Sequence, residues 1–167
     1  MSPLLLIVGL VAALRIGELG YSARNARALK DRGAIELGSG HYPLMVALHA
    51  AWLAALVTFV RWDISVSWFW LDAYIALQVL RVWTIASLGR FWTARVYSLP
   101  GTKLVRRGPY RFVAHPNYLI VAGEIAVLPL VFGAWRIALA FSILNAVLLA
   151  WRIRIEERGL EPRRALG

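Results

Sequence analysis

Five apolar stretches, at roughly 3–21, 43–60, 67–88, 117–132 and 134–155, take up most of this chain. A helix crosses the hydrocarbon core of a bilayer in about 20 predominantly apolar residues. No water is available there, so a spanning segment must satisfy its own backbone, and an α-helix does. The pattern predicts an all-α integral membrane bundle of about five transmembrane helices in a single transmembrane domain over 1–167. The fourth stretch is short for a span. The last two are joined only by Gly133 and its neighbours, which reads as a tight helical hairpin. Composition agrees: 60% of residues are hydrophobic and 17% charged, where globular chains run to about 45–50% and about 25%. Arg15 and Glu18 interrupt the first stretch where a signal peptide would be cleaved, so it is read as a span.

The charge is bunched between the spans. Arg24, Arg27, Lys30 and Arg32 follow the first. Arg90, Arg95, Lys103, Arg106, Arg107 and Arg111 follow the third. Arg152, Arg154, Arg158, Arg163 and Arg164 end the chain. With five spans these regions share one side, which the positive-inside rule assigns to the cytoplasm, leaving the N-terminus outside. Topology and anionic headgroups account for the net charge of +10, and no nucleic-acid partner is expected. Cysteine is absent, so disulfide and thiolate chemistry are excluded. His49 has no companion at metal-ligand spacing, so no metal site is predicted.

Charged groups inside spans cost about 2.5–3.5 kcal/mol each on insertion scales and tend to face the bundle interior. Arg15 and Glu18 lie three apart on one helix face. His49, Gln78, Arg81, Glu124 and Asn145 are the other polar groups at span depth. Two inert pairs, Arg15 with Glu18 and Arg81 with Glu124, are the bland reading. Glu124, two turns into the fourth helix, leans toward a site role.

The densest information is R-R-G-P-Y-R-F-V-A-H-P-N-Y-L at 106–119. Gly108-Pro109 signals a turn, and Pro116 suits the first position of a helix. His115 and Asn117 then sit at a helix mouth, whose free N–H groups and dipole favour a carboxylate or a ribose hydroxyl. R-I-R-I-E-E-R at 152–158 ends the fifth helix. A hairpin of the last two helices brings both clusters to one membrane surface.

G-P-Y-R-F-V-A-H-P-N-Y, a helical hairpin and R-I-R-I-E-E together resemble the isoprenylcysteine carboxyl methyltransferase family, over about residues 104–160. The resemblance implies a membrane enzyme using S-adenosylmethionine. Tyr110, His115, Pro116, Asn117, Tyr118 and Leu119 would line the cofactor pocket from one side, and Arg152, Glu156 and Glu157 from the other. Residues 1–88 would then form a three-helix region on the substrate side, and 89–167 the cofactor-binding loop, hairpin and C-terminal end. The family's Arg before His-Pro is Ala114 here, so the holder of a substrate carboxylate passes to Arg111, or the substrate is not a prenylcysteine. The stretch after Glu157 is shorter than the family's, which implies a looser enclosure or one completed by another subunit. R-I-G-E-L-G-Y-S-A-R-N at 15–25 and G-H-Y-P-L-M-V-A-L-H at 40–49 are similar to a compact bacterial branch associated with O-methylation of alkylpyrone-like lipids.

For methyl transfer, a carboxylate or acidic enol is already an anion and needs only alignment and a positive holder. Arg81, Arg90, Arg95 and Arg111 are the candidates. A neutral hydroxyl needs a base, and Glu124 or His115 could serve. The expected catalytic set is Glu124, Arg111 and Arg81. The expected contacts to a lipophilic substrate are Arg90, Arg95, Trp83, Trp92 and Asn145, with Phe91 along the lipid path. The alternatives are N-methylation of a phospholipid amine and a non-enzymatic transporter or assembly subunit.

Overall fold

A computed structural model describes residues 2–38 and 40–164. The side chains of His41 and of 160–164 lie outside the described set, among them Arg163 and Arg164 of the basic C-terminal end. The helices are α1 (Pro3–Lys30), α2 (His41–Phe59), α3 (Trp68–Leu88), α4 (Pro116–Val131) and α5 (Trp135–Arg164). All but α4 are long and apolar enough to cross a membrane. The 16 residues of α4 reach about 24 Å, short of a hydrocarbon core of about 30 Å. Burial is the reverse of a water-soluble pattern. Leu10, Ile16, Phe69, Val79, Leu139 and Val147 are exposed, while Arg81, Glu124, Asn145 and Arg152 are buried. Lipid as solvent produces this arrangement.

Two helices run beyond the apolar stretches that announce them. α1 continues through Ser-Ala-Arg-Asn-Ala-Arg-Ala-Leu-Lys to Lys30, because polarity rises there while helix propensity stays high. α5 likewise extends past residue 155. The expected hairpin is present. Gly133 takes a left-handed φ of 64°. Its N–H bonds Leu130 O at 3.0 Å and the Ala134 N–H bonds Pro129 O at 2.9 Å, capturing the last carbonyls of α4. Two short strands were not foreseen. β1 (Ile35–Leu37) pairs antiparallel with β2 (Val96–Ser98), setting Glu36 opposite Tyr97.

Leu4, Val8, Leu56, Ile125, Leu128 and Val131 form part of the main core. Gly123 lets α4 approach α3, since a Cβ there would lie 3.1 Å from the Leu77 methyls, the usual role of small residues between membrane helices. At the opposite end of the bundle, α1 holds the segment after α3. Asn25 Nδ2 donates to Gly89 O (3.1 Å) and Trp92 O (2.8 Å), and the Ala94 N–H donates to Ser22 Oγ at 2.8 Å. Tyr21 stacks on Trp92 with ring centroids 5.9 Å apart. The three basic segments of the sequence gather at this end.

Candidate active site

The loop before α4 is fixed by contacts with α3. Gly108 has φ 57°, and a Cβ on it would lie 2.0 Å from Ser87 Oγ. Arg107 Nε donates to Ser87 O at 2.5 Å. A short 3-10 turn, Gly108–Arg111, follows. Pro116 then starts α4 without a backbone donor to leave unpaired, and His115 sits just outside the first turn.

Arg152 on α5 ties the site together. Its Nε donates to the Tyr118 hydroxyl (2.8 Å), Nη2 to Ala94 O (2.5 Å) and Nη1 to Met45 Sδ (3.1 Å). The guanidinium lies 5.3 Å from the centroid of the Tyr118 ring. The Tyr118 hydroxyl in turn donates to Glu156. The His115 ring stacks on Tyr118, with centroids 5.3 Å apart. Its Nδ1 is 3.9 Å from Glu156 and its Nε2 is 3.6 Å from Glu157.

These groups wall a cavity of about 660 Å³, within the range for small-molecule sites. Two buried polar atoms on its wall, His115 Nε2 and Asn117 Oδ1, have no hydrogen-bond partner among the described residues. An unmet buried polar atom costs about 1–3 kcal/mol. Burial raises the pKa of the Tyr110 hydroxyl, and the charge of Glu156 adds to this; Tyr110 is therefore a neutral donor on the same wall. Outside the cavity, burial opposes ionisation of Glu36. Hydrogen bonds from Arg95 (2.6 Å) and Tyr97 (2.9 Å) outweigh it and hold the carboxyl below the usual range.

The cavity gathers Tyr110, Arg111, His115, Asn117, Tyr118, Arg152, Glu156 and Glu157, with Trp92 and Arg95 from the loop after α3. Other expected site residues lie elsewhere. Pro116 is buried in the first turn of α4, and Leu119 points outward at 64% exposure. Trp83 is on an exposed face of α3. Arg90 sits over the Phe91 ring, off the cavity wall. Asn145 is enclosed on α5, its Oδ1 unpartnered and off both cavities described here.

Arg81 and Glu124 belong to a buried ring at membrane depth. Arg15 pairs with Glu18 (3.0 Å) and Glu124 (3.1 Å), and Arg81 pairs with Glu18 (2.7 Å) and Glu124 (3.0 Å). Gln78 donates to Glu124 at 2.7 Å and accepts from Arg15 at 3.0 Å. The two inert pairs of the bland reading are one closed circuit joining α1, α3 and α4. The spacing of Arg15 and Glu18 was visible in the sequence, but their long-range partners were not. Met45, Ala94 and Asn25 were also missed, since a sulfur, a carbonyl and a bracing amide carry no motif.

A bundle with lipid-facing apolar surfaces and a cavity of mixed polar and apolar lining at one end defines an integral membrane protein. The chain belongs to the isoprenylcysteine carboxyl methyltransferase family, whose profile matches residues 70–162, and so to a group of membrane methyltransferases. It is 35% identical over 160 residues to the uncharacterized protein YpbQ of Bacillus subtilis (strain 168), covering 93% of this chain and 95% of that one. It is 29% identical over 155 residues to an uncharacterized protein of Haemophilus influenzae, covering 90% of each. No solved structure matches it.

Proposed function

We propose that this protein is an S-adenosylmethionine-dependent methyltransferase that modifies an oxygen of a lipophilic acceptor, either a carboxylate or an acidic hydroxyl. The observation that carries the reading is that His115 Nε2 and Asn117 Oδ1, buried atoms with no hydrogen-bond partner among the described residues, lie on the wall of the 660 Å³ cavity beside Glu156 and Glu157. This donor set fits the cofactor. Carboxylates suit ribose hydroxyls and the amino-acid ammonium, and an imidazole and an amide suit its remaining polar edges. When bound, S-adenosylmethionine would supply an electrophilic methyl on a sulfonium, whose carbon–sulfur bond would break as the acceptor oxygen bonds the carbon. Arg152 orients Tyr118, and Tyr118 and Glu156 flank His115. Arg95 and Arg111, on the same wall, offer positive charge to an anionic oxygen, so no strong base is required. We read the orientation from the basic end of the bundle: the positive-inside rule supports a cavity mouth on the cytoplasmic side.

Titration of the purified protein with S-adenosylmethionine tests the reading. Saturable binding is expected, weakened at least tenfold in His115→Ala and Glu157→Ala variants that still fold. Absence of binding in both detergent and lipid would overturn it.

A further inference from the structure

A second cavity, of about 270 Å³, runs along the seam between α1 and α2. Its α2 side is Tyr42, Met45, Val46, His49, Ala50 and Leu53, one helical face at spacings of three and four. Its α1 side is Ala12, Arg15, Ile16, Glu18 and Leu19, with Arg81 of α3 also on the wall. Ile16 and Val46 are exposed on the lipid side, so the seam opens to the bilayer. From Tyr42 to Leu53 it extends about 16 Å, the shape of a slot for one extended chain. Trp92, Asn117, Tyr118 and Arg152 line this cavity and the larger one, so they form the partition where a chain in the slot would meet a small molecule beyond.

The slot is not purely apolar. Arg15 and Glu18 keep 16% and 20% of their side-chain surface, while Arg81 and Glu124 keep 9% and 5%. Arg15 and Glu18 are therefore the members of the ion ring most open to an occupant. An alkyl chain laid across them would leave charged atoms facing hydrocarbon, which is costly. A hydroxyl or carbonyl at that level would meet a donor or an acceptor. The level follows from α4. Tyr118 lines the partition and Glu124 bonds the ring six residues further on, about 9 Å along the axis.

We propose that the seam binds the acceptor, and that Arg15 and Glu18 select a single-chain lipid with a hydrogen-bonding group about 9 Å below its head. The proposal rests on the methyltransferase reading only for what happens to that head. An extended chain advances about 1.2 Å per bond, so 8-hydroxyhexadecanoic acid is a suitable probe and hexadecanoic acid its control.

Binding of both is measured to the purified full chain in lipid nanodiscs. The hydroxylated probe is expected to bind roughly tenfold tighter, the factor for one hydrogen bond to a charged group. In the double variant Arg15→Met/Glu18→Met, which leaves Arg81 paired with Glu124, the two probes should bind alike. Ala50→Trp, which fills the slot and leaves the ring in place, should weaken both at least tenfold. It also serves as the test if the double variant fails to fold. Equal binding by the unsubstituted protein, a preference kept by the double variant, or binding undiminished by Ala50→Trp would each overturn the proposal. S-adenosylmethionine titrated into the same preparations separates the two readings. Probe preference without cofactor binding would remove the methyltransferase reading and leave the slot. Cofactor binding without probe preference would do the reverse.

Discussion

Replacing Glu124 by Ala removes the acceptor on which three donors converge. Glu124 is 4% exposed and receives Arg15 at 3.1 Å, Arg81 at 3.0 Å and Gln78 at 2.7 Å, from α1 and α3. Its loss leaves two guanidinium groups sharing the single carboxylate of Glu18. Interhelical hydrogen bonds in membrane proteins average about 0.6 kcal/mol, so three of them give about 2 kcal/mol as a lower figure. Stranding one partner of a buried ion pair costs about 3–5 kcal/mol, which sets the upper. A loss of about 2–4 kcal/mol is expected. The double variant Arg81→Met/Glu124→Leu leaves Arg15 and Glu18 as a neutral pair. It should therefore be more stable than the sum of its single changes by at least about 1 kcal/mol. Equilibrium unfolding in mixed micelles, followed by the fluorescence of the eight tryptophans, measures both quantities. A cost below about 0.5 kcal/mol for Glu124→Ala, or strict additivity in the double variant, would refute the closed ring.

Gly108→Ala should destabilise the loop before α4 by more than about 1 kcal/mol, because φ is positive and the new methyl meets Ser87. Adding Ser87→Gly should restore part of the loss in the same unfolding assay. The Glu36 carboxyl titrates below its ordinary range in the folded protein. Its hydrogen bonds therefore add stability at neutral pH, and this is lost as pH falls through the folded pKa. Glu36→Gln should flatten the acid side of the stability profile below about pH 5, and an unchanged profile would show that the strand pair does not depend on this charge.

The spans and the hairpin were legible because hydropathy over about 20 residues is a strong signal and Gly133 punctuates it. The helical continuations of α1 and α5 were not, since hydropathy does not report propensity in polar stretches. The strand pair escaped because Ile35–Leu37 and Val96–Ser98 are too short for alternation to register and far apart in the chain. At the site, the two polar clusters could be placed together because a hairpin fixes their ends. Which side chains face inward could not be read in the same way. Leu119 neighbours Tyr118 in the motif but lies about 100° around α4 from it and is exposed, while Tyr118 is buried. The ring was half visible: the i,i+3 spacing of Arg15 and Glu18 lies in the sequence, while their bonds to Gln78, Arg81 and Glu124 depend on how three helices pack.

The most direct test of the account is methyl transfer itself. The purified protein is incubated with methyl-labelled S-adenosylmethionine and a total bacterial lipid extract, and label is followed into the organic phase. The account predicts a labelled lipid carrying its methyl on oxygen, with formation lost in His115→Ala. Label on an amine nitrogen would contradict the assignment to oxygen, and a lipid phase without label, from protein that binds the cofactor, would contradict the lipophilic acceptor.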